Sequence, residues 1–327
     1  MSRKLLITGA TGGLGLGLVA AARARGHDVL ATGRSDAMEG RIRGEGAAFV
    51  AADLTTADLR VLCRGRHAVI HAAALSAPWG PRAAFERINV DATAALLEAA
   101  EAEGCDGFVF VSSPSIFAGF RDRIGIRGGD APSAPPLNHY AGTKLAAERR
   151  VLAADTGRMA TTVVRPRAIV GPDDRVILPR LAELARRRRI PLIRNGRALI
   201  ELTDVRDAAE AILCAEAEIE TVHGQAVNVS GGQPVSVREV AVALAACLGY
   251  TPRLTRAPLP LARVAAVAAE LMASGERGPE PTLTRYTLAT LACSQTFDME
   301  ETARLIGFRP RHDGLATLLS AAASLKR

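Results

Sequence analysis

Short blocks of consecutive apolar residues recur through the first half of the chain, each followed by small or polar residues and then by a stretch of helical character. Lys4-Leu-Leu-Ile-Thr8 is the first, an apolar run suited to a strand buried on both faces. Asp28–Thr32, Ala47–Ala52, Ala68–Ala74 and Gly107–Val111 repeat the pattern. Helices are expected over Leu16–Arg25, over about 83–103, and from Tyr140 through the run Leu145–Leu152. Strands alternating with helices in this way predict an α/β fold with a parallel sheet.

The junction of the first strand and helix sharpens the expectation. Gly9-Ala-Thr-Gly12-Gly-Leu-Gly15 places four glycines at a strand-to-helix turn, three of them at three-residue intervals. Gly9 allows a tight turn, Gly12 lets backbone N–H groups approach a pyrophosphate, and Gly15 lets helix and strand pack closely. The spacing is G-x-x-G-x-x-G, a departure from G-x-G-x-x-G. A doubly wound Rossmann sheet is therefore expected from residue 1 to about 175, rejoined by about 200–230. A smaller, mostly C-terminal α/β substrate domain is expected from about 176–199 plus 231–327.

Two strand ends bear on the dinucleotide. At the end of the second strand, where an acidic residue would bind a ribose 2′-hydroxyl, stands Arg34, which suits a 2′-phosphate. NADP(H) is thus favoured, with NAD(H) the alternative. Asp53-Leu54, after the third strand, is placed to hydrogen-bond an adenine amino group. Ala72, Ala73 and Ala74 follow the fourth strand and would let ribose and pyrophosphate lie against the backbone.

Candidate chemistry lies further along. Tyr140 and Lys144 are four residues apart, hence on one helical face, where a cation could bring a phenol's pKa toward the working range. Of 41 basic residues only Lys4, Lys144 and Lys326 are lysine, so an internal lysine beside one of three tyrosines stands out. The bland alternative is an exposed helix lysine. The fifth strand ends in Ser112-Ser113, at the edge where open α/β sheets bind ligands. Asn89, among apolar helix neighbours, would be explained by a bond to backbone near the site. His71 reads as a packed strand-end histidine.

Composition narrows the classes. The 327 residues, 48% apolar, suffice for a large core in a soluble chain, and no signal-peptide order or 18-residue apolar span is seen. A cytoplasmic location is expected. Five widely spaced cysteines predict reduced thiols and no metal site. The net charge of +7 includes a dense run at Arg186–Arg189, but with 4% aromatics it reads as a solvated helix end rather than a nucleic-acid surface.

Together these residues resemble the extended short-chain dehydrogenase/reductase family, part of the NAD-dependent epimerase/dehydratase superfamily. The likeness rests on Thr8–Gly15, Asp53-Leu54, His71–Ala74, Ile88-Asn89-Val90, Val111–Ser113, Tyr140 with Lys144, Val164-Arg165-Pro166 with Gly171-Pro172, Asp204–Asp207, Asn228–Gly232 and Leu305–Pro310. It implies Ser113 as the catalytic Ser/Thr, with Ser112 the fallback for a register error, Tyr140 as acid-base and Lys144 as its lysine. Asn89 would order the site from behind. Gly9, Thr11, Gly12, Gly13, Leu14, Gly15, Lys144, Arg165 and Pro166 would meet the cofactor. Ala257–Met272, Pro281–Tyr286 and Ser294–Asp298 resemble the 3β-hydroxysteroid dehydrogenase-like branch, including 2-alkyl-3-ketoalkanoate reductases. Many members of that branch favour NAD, against the reading of Arg34.

The apolar segment Leu259–Met272 has three readings: a core helix, a lid over an apolar substrate, or a membrane-surface patch. The expected function is hydride transfer between a nicotinamide and a ketone or secondary alcohol on a steroid-like or long-chain β-keto substrate. A nucleotide-sugar epimerase or dehydratase and a non-catalytic NAD(P)-binding sensor or scaffold are the alternatives. The resemblance also implies a homodimer.

Overall fold

Seven apolar runs become strands of one parallel sheet in the computed structural model, which describes residues 2–155, 157–186, 189–273 and 278–324. They are β1 Lys4–Thr8, β2 Asp28–Gly33, β3 Ala48–Ala51, β4 Ala68–His71, β5 Gly107–Val111, β6 Ala160–Pro166 and β7 Ala226–Val229. Their order across the sheet is β3-β2-β1-β4-β5-β6-β7, every pairing parallel. The winding direction reverses between β1 and β4. A crevice opens there at the carboxyl ends of the strands, where doubly wound sheets receive ligands.

The alternation of β1 explains why both faces of the sheet are covered. Leu5 and Ile7 join a core with Leu18 and Val19 of the helix Gly13–Ala24 and Ile212 of the helix Val205–Ala217. Leu6 points the other way, into a core with Leu96, Phe108 and Phe110. Each such buried side chain contributes about 1.5–3 kcal/mol relative to exposure. A third cluster, with Val170, Leu178, Leu202, Leu244 and Leu318, gathers residues from beyond β6 and holds the later helices together.

Four elements differ from the sequence reading. The first helix starts at Gly13, not Leu16, because Gly12 is already its extended N-cap. β4 stops at His71, leaving Ala72–Ala74 as irregular backbone beside the crevice. The helix expected over about 83–103 is interrupted: Arg82–Phe85 runs into a π-helical turn, Glu86–Asp91, before Ala92–Ala102 resumes α geometry. Leu259–Met272 is helical, but Ala266 alone among its residues is buried, while Leu261, Val264, Leu271 and Met272 face outward. It is not a core helix. Of the arginine run, Arg187 and Arg188 lie outside the described residues, as does Lys326. No helix among the described residues is long and apolar enough to cross a membrane.

Candidate active site

The crevice is a cleft of about 1360 Å3 that runs from the glycine turn, past β4 and β5, to the helix Arg285–Ala292. Its first half is built from backbone. A side chain at Gly15 would place its Cβ 2.1 Å from the Gly9 carbonyl oxygen, and one at Gly9, where φ is +69°, would meet Ala73 nitrogen at 2.6 Å. Both positions therefore require glycine. At Gly12 the nearest atom to an added Cβ is 3.5 Å away, so the first turn of the helix presents bare backbone to the cleft. Thr11, Gly13, Leu14 and Gly15 line it as well. This cradle fits the pyrophosphate of a dinucleotide.

Beside the cradle, Arg34 lines the cleft as an exposed side chain without an ion pair among the described residues. Asp53 receives both the backbone N–H and the hydroxyl of Thr55 on Oδ1, at 2.9 and 2.8 Å. Those bonds, with the charges of Arg34 and Arg87, hold its carboxyl below the usual range. Oδ2 stays open to a donor. Leu54, Ala72, Ala73 and Ala74 complete this wall.

The second half begins at the end of β5. Asn138 caps the helix His139–Ala153 through a 2.9 Å bond from Ala141 N–H. This helix carries Tyr140 and Lys144 on the face turned to the cleft. Tyr140 and Ser113 both line the cleft. Burial pushes the phenol up to about 12, and the neighbouring Ser113 hydroxyl only partly offsets it. Lys144, 2% exposed, donates from Nζ to the Val111 carbonyl at 2.7 Å and lies over the Phe110 ring. Burial pulls its ammonium down to about 7, against the opposing charge of Glu148. The expected lowering of the phenol's pKa by Lys144 is therefore not the arrangement seen. The lysine is held back on β5, and the groups acting on the phenol after burial are Ser113 and Tyr286.

Ser112 and Ser113 divide the work at the strand end. Ser112 is buried and donates to Glu148, which is clamped by Arg165 through Nε at 3.0 Å and Nη2 at 2.6 Å. The Arg165 Nη1 donates to the Gly128 carbonyl at 2.9 Å. Ser113 alone of the two acts on the Tyr140 phenol. Arg165, expected at the cofactor, does not line the cleft: its guanidinium is consumed by the buried carboxylate behind β5, and Pro166 reaches the cleft instead.

Asn89 sits in the π-helical turn and does not reach the cleft. Its Oδ1 accepts from Leu75 N–H at 2.7 Å, and its Nδ2 donates to the Leu75 carbonyl and to Thr143 Oγ1. It ties the chain after β4 to the helix that carries Tyr140. His71 is fully buried between Thr8 and Thr93 and pulled down to about 3 by burial, so it stays neutral.

Two side chains of the cleft carried no role in the sequence reading. Arg167 is one arginine among many, and Tyr286 falls in a late motif without a partner in sequence. Only the fold brings both to the cleft. The walls around them include Ile177, Leu181, Ile193, Leu283 and Leu291. Among the described residues no cluster of three or more His, Cys, Asp or Glu could hold a metal ion, and the five cysteines are free thiols.

Residues 5–230 match the NAD dependent epimerase/dehydratase family. The chain belongs to this family. Within it, the chain is 32% identical over 334 residues to a 2-alkyl-3-oxoalkanoate reductase of Stenotrophomonas maltophilia (strain K279a), covering 98% of this chain and 100% of the relative. It is 28% identical over 242 residues to the human sterol-4-alpha-carboxylate 3-dehydrogenase, decarboxylating, covering 72% of this chain and 64% of that protein. Among solved structures it resembles MoeE5 in complex with UDP-glucose and NAD, with a TM-score of 0.72 and 25% identity, covering 99% of this chain and 100% of the other. The chain is thus an NAD-dependent oxidoreductase/epimerase-family enzyme of the extended short-chain type, with ketoreductase and sterol dehydrogenase relatives.

Proposed function

We propose that this enzyme reduces the ketone of an apolar substrate, steroid-like or long-chain, with Tyr140 as proton donor. The observation that carries the reading is the continuity of the cleft: the Tyr140 and Ser113 hydroxyls open onto walls that include Ile177, Leu181, Ile193, Leu283 and Leu291. Apolar walls with a few convergent polar groups suit a hydrophobic ketone better than a nucleotide sugar.

A nicotinamide dinucleotide held in this cleft would supply the hydride for the carbonyl carbon. Tyr140 Oη, with its pKa near 12, holds its proton at neutral pH and gives it to the carbonyl oxygen. Ser113 Oγ donates to the same oxygen as charge develops there. Lys144 Nζ, with donors beyond the one spent on Val111, would hold the ribose. Arg34 would take a 2′-phosphate, which favours NADP(H) over NAD(H), and Asp53 would bind the adenine.

Substituting Tyr140→Phe removes one oxygen from a helix that packs elsewhere. Turnover should fall by about 10²–10⁴-fold while nucleotide affinity, read by fluorescence titration, changes less than about twofold. Equal losses in both would assign Tyr140 a structural role and contradict the proposal.

A further inference from the structure

Two arginines, Arg165 near the end of β6 and Arg167 just past it, are treated differently. Arg165 is buried and fully paired with Glu148. Arg167, just past β6, is also buried, at 9% exposure, and it lines the cleft. Its Nε is enclosed and meets no hydrogen-bond partner among the described residues. Glu201 lies close enough for its charge to act on Arg167, yet forms no ion pair with it. The Glu201 carboxylate accepts instead from Phe297 N–H at 3.2 Å.

An enclosed guanidinium with an unused donor is costly unless an anion completes it. Its place says which anion. Arg167 follows the carboxyl end of β6, which pairs with β5 at Val164 and Val111, so it emerges into the cleft beside Ser113, in the half that holds the reacting ketone. The cradle for the pyrophosphate is at the opposite end, at the glycine turn.

We infer that Arg167 is the residue that reads the substrate's charge, taking a carboxylate carried on the same apolar molecule as the ketone. This inference rests on the ketoreductase reading and deepens it. The substrate class becomes a long-chain keto acid rather than a neutral ketosteroid. A planar guanidinium suits the task because it can meet both oxygens of a carboxylate at once. The surrounding aliphatic walls accept the chain.

The test runs in the oxidative direction, with a long-chain 3-hydroxy acid and its methyl ester as stable substrates and NADP+ or NAD+ in excess. Wild-type enzyme should favour the acid over the ester by at least about tenfold in kcat/KM. Arg167→Leu should lose that preference mainly through KM for the acid, with kcat/KM for the acid falling at least about tenfold further than kcat/KM for the ester. Arg167→Lys should restore part of the preference, since it returns the charge without the fork. Equal handling of acid and ester by the wild type overturns the inference, as does an Arg167→Leu variant that loses both substrates alike. Nucleotide titration separates the other source of negative charge: weakened cofactor binding in Arg167→Leu would put the guanidinium on a cofactor phosphate and overturn it too. Inactivity of the wild type on both substrates, with nucleotide bound, would remove the ketoreductase reading and this inference together.

Discussion

Lys144 Nζ is held within a site whose walls strip its water, with one backbone carbonyl and one aromatic ring as compensation. Its pKa falls from 10.5 to about 7 on folding. Between those values the unfolded chain carries a proton that the folded chain has lost, so stability must rise with pH across that window. Below pH 7 both states are charged and the cost of burial is felt in full. Tyr140 does not interfere, because its shift from 10 to about 12 enters only above pH 10, where it lowers stability. Denaturant titrations of the wild type and Lys144→Met at pH 6.5 and 9.5 should show the wild type gaining relative to the variant at the higher pH. Parallel curves would contradict the burial of the ammonium. The pair itself was legible in the sequence, since four-residue spacing on a helix fixes the shared face. The direction of the lysine was not: its partner is the Val111 carbonyl on β5, and a sequence pattern cannot say which backbone oxygen a long side chain will find.

At the scale of elements, three pieces of chain are fastened around the strand end of β5. Ser112, Glu148 and Arg165 bind β5, the helix His139–Ala153 and β6 into one buried network. The side chains of the ion pair are 6% and 2% exposed, so removing one partner strands the other without water. Glu148→Ala should cost about 3–5 kcal/mol in urea unfolding, and it should lower turnover because the helix bearing Tyr140 loses its anchor. A loss under about 1 kcal/mol would show that the network is relaxed by solvent. The glycine turn and Asn89 are the parts of this scale that could be read from sequence. Glycine marks close backbone approach at Gly9 and Gly15, and an asparagine among apolar helix neighbours marks backbone to be bonded. The π-helical turn that carries Asn89 left no such mark, and neither did the partner of Arg165. An arginine after a β-strand looks the same whether it meets a phosphate or a buried glutamate.

Across the whole molecule, the parallel sheet follows from the alternation of apolar strands and helices, and the crevice follows from the reversal between β1 and β4. A doubly wound parallel sheet was legible because it rests on local periodicity and one glycine turn, whereas the order of its strands was not. The substrate half was not, since its walls come from segments as distant as Ile177, Leu202 and Leu283, and Arg167 and Tyr286 acquire meaning only when these meet. The outward face of Leu259–Met272 belongs to the same region: the helix offers Ala262 to the cleft and its larger side chains to the exterior. The central claim, reduction of an apolar ketone by a family member with an NADP-leaning site, is tested most directly by following the absorbance of NADPH, and separately NADH, against three ketones. The panel is a 3-ketosteroid, a long-chain β-keto acid or its ester, and a short polar ketone. Consumption of NADPH ahead of NADH with an apolar ketone, and little with the short polar one, is the predicted result. No consumption with any ketone, from protein that retains bound nicotinamide, would contradict the claim and favour a nucleotide-sugar epimerase.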